Sequence, residues 1–215
     1  MYLYKKDDIV NNIHKYIQYN YGIMIALIII ALVLGEISDK RYFKSVITLT
    51  LATFITWYGH FLLHNYNEFN PIAWIHKHTH HSPFAHTFLG KFLEYVFIEF
   101  FFFGAGLALV IVLLLEKFAN IKTLNPYVLL FWAISVPFIH EFHYHLLRMT
   151  SVHKIHHINP AANYSPDFWD VVMGKKKDNT IIENENLIIP PLIIVAFFVF
   201  SLAHTKYDPI KYLLM

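Results

Sequence analysis

Long apolar stretches divide this chain, and no other feature limits its folding choices as much. Ile23 to Leu34, Val46 to Leu63, Tyr95 to Leu115 and Pro126 to Ile139 are separated by connectors at 36–45, 64–94 and 116–125. A helix rises about 1.5 Å per residue and has about 30 Å of hydrocarbon to cross. The second and third runs come close to that length alone. The first needs Ile17 to Gly22 joined to it. A fifth run, Leu187 to Ala203, carries Pro190 and Pro191 near its start and either spans or lies in the interface. Short connectors between such runs make antiparallel helical hairpins.

Composition supports the same class. Charged residues are 15% of the chain, against roughly 25% in soluble domains. Hydrophobic residues are 56%, and the mean hydropathy is +0.43. The expectation is an all-α, polytopic membrane protein with about four transmembrane helices in hairpins, a fifth C-terminal hydrophobic helix and a histidine-rich cap. Residues 1–215 read as one membrane-embedded domain, with a core over about 57–174 and 187–204 as an additional hydrophobic segment. The first twenty residues are mixed and polar, without the apolar core of a signal peptide.

Other classes drop out. With no cysteine, the chain has no thiolate metal site, iron–sulfur ligand, disulfide or Cys nucleophile. A net charge of +2 argues for no polyanionic partner, and no nucleic-acid module is present. The run Lys175-Lys176-Lys177 reads as a solvated interfacial anchor.

Histidine is the anomaly. Of 15 His, thirteen fall in the windows 60–86 and 140–157. If the first four runs all cross, both windows share one face. With the fifth run also spanning, that face carries ten Lys/Arg against seven on the other, which puts the histidines in the cytosol by the positive-inside rule. The expected membrane is the endoplasmic reticulum in a eukaryote or the inner membrane in a bacterium. His60 lies about 21 Å along its helix from Val46, and His140 about 21 Å from Pro126. Two independent helices thus present imidazoles at matching depth.

Spacing sharpens the reading. His60 and His64 are an i, i+4 pair on one helical face. WIHKHTHHS over 74–82 supplies His76, His78, His80 and His81, with His86 five residues on. HEFHYH over 140–145 supplies His140, His143 and His145. His153, His156 and His157 put three rings on one helical face. Ionisable residues at membrane level are costly and mark function. All-imidazole sites suit Zn, Fe, Cu or Ni, and this many donors suits two ions rather than one. The zincin pattern H-E-x-x-H is absent, because position 144 is Tyr, and no Glu has His three residues on. A two-iron, histidine-rich site remains, with a bis-His haem protein or a metal-handling membrane protein as rivals.

These residues resemble the fatty acid hydroxylase/sterol desaturase superfamily. His60/His64 match its H-x-x-x-H box. His153, His156 and His157 match its final H-x-x-H-H box, followed by Asn163-Tyr164-Ser165 and by Trp169-Asp170 with Gly174. The second box departs from the pattern, since Lys77 precedes His80-His81 where a His is usual, and the role falls to His76 or His78. In the third, Tyr144 stands at the partner position between His143 and His145. Ser165 replaces the usual Gly.

The resemblance implies a non-haem di-iron enzyme that uses dioxygen to hydroxylate or desaturate an unactivated C–H bond of a fatty acyl, sterol or related lipid. The implied metal ligands are His60, His64, His76, His78, His80, His81, His140, His143, His145, His153, His156 and His157. Substrate would enter from the bilayer. Electrons would come from a separate small b-type cytochrome or reductase, because the chain has no room for a fused one. Glu141 and Asp170 are the expected acceptors behind the ligand rings. Asn163 and Trp169 are expected to cap and pack. Glu99 should face the bundle.

Overall fold

The computed structural model describes residues 6–65, 70–142, 156, 163–176 and 182–215, with the side chains of 6–8, 65, 80, 85 and 86 left aside. Regular structure among the described residues is entirely helical. Helix α1 covers Lys6–Glu36 and α2 covers Tyr42–Asn65. Next come α3 (Pro71–His80), α4 (Phe88–Leu93), a π-helix (Glu94–Phe103), α5 (Gly106–Ala119) and α6 (Pro126–His140). The C-terminal part holds α7 (Asp167–Val172), α8 (Ile189–Ala203) and α9 (Pro209–Leu214).

By length and composition, Ile9–Glu36, Tyr42–His64 and Glu185–Ala203 can each cross a membrane. This set is compatible with an integral multi-pass protein. The run read from sequence as a single span at 95–115 is broken. Phe88–Phe103 and Gly106–Ala119 meet at 54° and make a fourth span only if taken together. The cause is local. Ala105 adopts a left-handed φ of 63°, and Gly104 lies so close to α6 that a Cβ there would stand 2.7 Å from the Ala133 Cα.

Helix α6 is shorter, 15 residues or about 22 Å, and packs against α1, α2, α5, α8 and the π-helix. Its central place explains the burial of Val128, Leu129, Phe131 and Trp132. Asn125 caps it by accepting from Tyr127 N and Val128 N, and its amide donates to Leu34 O and Ser45 Oγ. One buried Asn thereby ties three helices together at the end opposite the histidines, satisfying helix-terminal N–H groups that have no other partner. The expected continuation of this helix to Leu147 lies outside the described residues beyond 142.

Helix α1 runs well before Ile23. It kinks at Asn20 (φ −117°), whose side chain donates to Glu183 O and accepts from Glu185 N. The same segment is gripped by Tyr16, which donates to Glu185. These polar links tie α1 to the strand of chain that enters α8.

Candidate metal centre

Helix α2 carries His60 and His64 one turn apart on the face turned toward α3. On α3, Ala73, His76 and Thr79 are buried, whereas Trp74, Lys77 and His78 are exposed. That phase decides which His of the second box turns inward. His76 does, and His81, which ends the helix, does too. His78 does not. Its ring lies on Trp74 with centroids 4.0 Å apart, and its Nδ1 donates to Trp74 O.

Five rings converge: His60, His64, His76, His81 and His156. The centroids of His60 lie 5.0 Å from His64, 5.1 Å from His76 and 4.6 Å from His156. His64 stands 4.9 Å from His76, 4.9 Å from His81 and 4.6 Å from His156. Two sets place one ring nitrogen per residue within 4.8 Å of the others, namely His60/His64/His156 and His64/His76/His81. His64 belongs to both.

The donor set suits a transition metal. Two nitrogens each about 2.1 Å from one ion, at 90–110° from each other, stand about 3.0–3.4 Å apart. His64 Nε2 and His76 Nε2 are 3.0 Å apart. His60 Nδ1 bonds to the carbonyl of Tyr164. A carbonyl only accepts, so Nδ1 carries the proton and Nε2 keeps the lone pair a metal needs.

Among the described residues, Glu94 and Glu99 are the carboxylates that stand behind rings. Glu99 Oε1 lies 2.6 Å from His140 Nδ1. Glu94 Oε1 lies 4.0 Å from His76 Nδ1, and its carboxylate also accepts from the Thr79 hydroxyl. Both come from the π-helix. At 100° per residue an α-helix would set positions 94 and 99 about 140° apart. Hydrogen bonds from i to i+5 bring them to one side. Glu141 accepts from the Tyr95 hydroxyl. Asp170 accepts from Trp57 Nε1 and Ser165 N, both at 2.9 Å. It thus braces the 163–166 loop whose Tyr164 carbonyl holds His60. Burial pushes the Asp170 carboxyl up to about 6, against the pull of its N–H donors. Asn163 is buried, and Trp169 packs against Phe54 and Phe168. Asn163 N donates to Lys175 O, and the Trp169 indole donates to Thr53 Oγ1.

His140 is not one of the five clustered rings. It lines a cavity of about 370 Å³ together with His60, Glu94, Glu99 and Phe103. Most of the remaining wall is apolar, built from Leu27, Ala31, Leu49, Val136 and Leu192 among others, with Thr50, Thr53 and Thr56 set into it, and Tyr16, Glu183 and Glu185 close another side. Of the four consecutive phenylalanines at 100–103, only Phe103 takes part. His143, His145, His153 and His157 lie outside the described residues, and so do the side chains of His80 and His86.

Comparison with protein-family models, curated proteins and solved structures returned no match. Function is therefore read from the site itself.

Proposed function

We propose that this chain is a membrane-bound, non-haem di-iron enzyme that uses dioxygen to hydroxylate or desaturate an unactivated C–H bond of a lipid. One observation carries the reading: His60 is both a member of the imidazole cluster and part of the wall of the apolar cavity. A metal held by the cluster would face whatever fills the cavity.

A neutral imidazole offers one lone pair, so His64 serves one ion. His60, His64, His76, His81 and His156 supply most of one coordination sphere and part of another. The rest falls to the other predicted ligands, His80, His140, His143, His145, His153 and His157. An alkyl C–H bond gives acid–base chemistry no handle, and bound iron would supply the activation of dioxygen that no side chain here offers. The chain's own residues do the rest. Leu27, Leu49 and Val136 exclude water and orient an alkyl chain toward His60. The Tyr164 carbonyl keeps the His60 proton on Nδ1, and Glu99 steadies His140.

The excess of Lys and Arg on the histidine face favours a cytosolic site. A separate b-type cytochrome or reductase would deliver electrons there.

Two measurements test the proposal. Metal analysis of purified protein should find about two irons per chain; a single haem, or substoichiometric metal, would overturn it. Lipid mass spectrometry with and without expression should find a lipid that has gained one oxygen or lost two hydrogens. An unchanged lipid profile in cells that supply iron and reductant would reduce the chain to a metal-binding membrane protein.

A further inference from the structure

A second cavity, of about 310 Å³, lies at the opposite end of the bundle from the histidines. Here the turn from α1 to α2, the turn from α5 to α6 and the short helix α9 meet. Four cations line it, Arg41, Lys117, Lys122 and Lys211, against two lining carboxylates, Asp39 and Glu116, with Asp208 behind the wall 3.4 Å from Lys211 Nζ. The imbalance extends to the whole end. Segments 36–44, 116–125 and 204–215 hold seven Lys/Arg and four Asp/Glu, so they carry more positive charge than the chain's net +2.

The cations are held in place rather than loosely displayed. Arg41 donates to Glu116 at 2.8 Å and reaches Asp39 at 3.4 Å. Lys117 Nζ donates to Leu213 O and Lys211 Nζ to Ala203 O, both at 2.9 Å. Lys122 Nζ stands 3.8 Å from Asp39 Oδ2. An ammonium has three N–H donors and a guanidinium five, so donors remain after these contacts. The Tyr127 hydroxyl donates to Asp208 at 2.7 Å and pins α9 as the cavity's outer wall.

We infer that this cavity binds the phosphate of an anionic membrane phospholipid. Basic pockets between membrane helices bind such headgroups on the cytosolic side. Here Lys117, Lys122 and Lys211 would do so from the leaflet opposite the histidines, since the guanidinium fork of Arg41 is taken by Glu116 and Asp39. The surroundings favour a lipid over free phosphate. The cavity sits where the long apolar helices end, and Phe43, Phe118 and Ile121 project from the same end with exposed side chains, as residues that face acyl chains do. This site is independent of the metal centre.

The test uses the full chain purified in neutral detergent. Native mass spectrometry with phosphatidylglycerol and phosphatidylcholine should show at least a tenfold preference for the anionic lipid. Lys117→Gln/Lys122→Gln/Lys211→Gln should abolish it, with Arg41 kept because its Glu116 partner is buried. Should that triple variant fail to fold, the half-exposed Lys122→Glu should lower the preference at least threefold. Lys15→Gln/Lys77→Gln/Lys91→Gln, at the histidine end, should leave it unchanged. Equal retention of both lipids, equal loss in the two triple variants, or displacement of phosphatidylglycerol by millimolar inorganic phosphate would overturn the assignment.

Discussion

Glu99 and His140 meet inside the bundle, with Oε1 and Nδ1 2.6 Å apart, although one comes from the π-helix and the other from the end of α6. A carboxylate behind an imidazole fixes the ring's direction and raises its strength as a ligand. Replacing Glu99 by Ala should therefore weaken metal binding by about 10–100-fold. Glu99→Gln keeps an acceptor oxygen and should recover part of the loss. Competition against a chelator of known affinity reads this directly. An Ala variant that holds metal as tightly as the wild type would show that His140 is no ligand or needs no support.

His64 is shared by both nitrogen triads, whereas His78 lies on the outer face of α3 against Trp74. His64→Ala should remove at least the ion that His64 serves, lowering the metal content of purified protein by about half or more. His78→Ala should leave it at the wild-type level. Equal losses from the two substitutions would mean that the second box binds through a different face of α3.

Apolar runs foretold the helices well where a run has no break. Hydropathy sums composition and does not register backbone direction, so the bend at Gly104-Ala105 passed unseen within 95–115. The i, i+4 spacing placed His60 and His64 correctly on one face. Choosing His76 over His78 required the phase of α3, for which Lys77 beside His78 was an available sign of the solvent side. Glu94 and Glu99 were beyond reach as a pair, because five residues bring two side chains together only in a π-helix. Tyr164 was hidden for another reason. It acts on His60 through its carbonyl, which every residue type possesses.

Ser165 occupies the position where the resembled family carries Gly, and its φ is 56°. A residue with a Cβ is strained in that region, at a cost of roughly 1 kcal/mol or more. Ser165→Gly should raise the melting temperature, since the backbone N–H to Asp170 survives the change. Ser165→Val adds a β-branch there and should lower both the melting temperature and metal retention, by shifting the Tyr164 carbonyl away from His60. Thermal melts in detergent with parallel metal analysis would decide. A Gly variant that melts lower would contradict the strain.

Two enclosed carboxyls make stability depend on pH. Burial pushes Asp170 up to about 6, and burial beside Glu185 and Asp167 pushes Glu183 up to about 8. Both values exceed those of the unfolded chain. Their contribution is therefore complete below about pH 4 and is lost as pH rises, through 6 for Asp170 and 8 for Glu183. For Asp170 a shift of about two units corresponds to about 3 kcal/mol. Glu183→Gln removes the cost of ionising a buried group, so above pH 8 this variant should melt higher than the wild type. Parallel melting curves for the two proteins from pH 5 to 9 would rule the linkage out.

The cavity wall follows α2 from Val46 to His60, fourteen residues or about 21 Å of helix. Under the proposed function His60 would mark the reactive end, and Ala31, Val46 and Leu49 line the other. An alkyl chain held between them has its depth set by those small and medium side chains, not by the metal. Ala31 is fully buried, so Ala31→Phe must fill cavity space or push α1 outward. If it fills the cavity, long substrates lose their seat while shorter ones still reach His60. Ala31→Phe and Leu49→Trp should therefore shift the modified lipids toward shorter chains with little change in bound metal. Val33→Phe adds the same bulk at an exposed position on α1 outside the cavity wall and should change nothing. Lipid mass spectrometry of cells expressing each variant compares the three, and a chain-length profile unmoved by both inward substitutions would separate the cavity from the substrate.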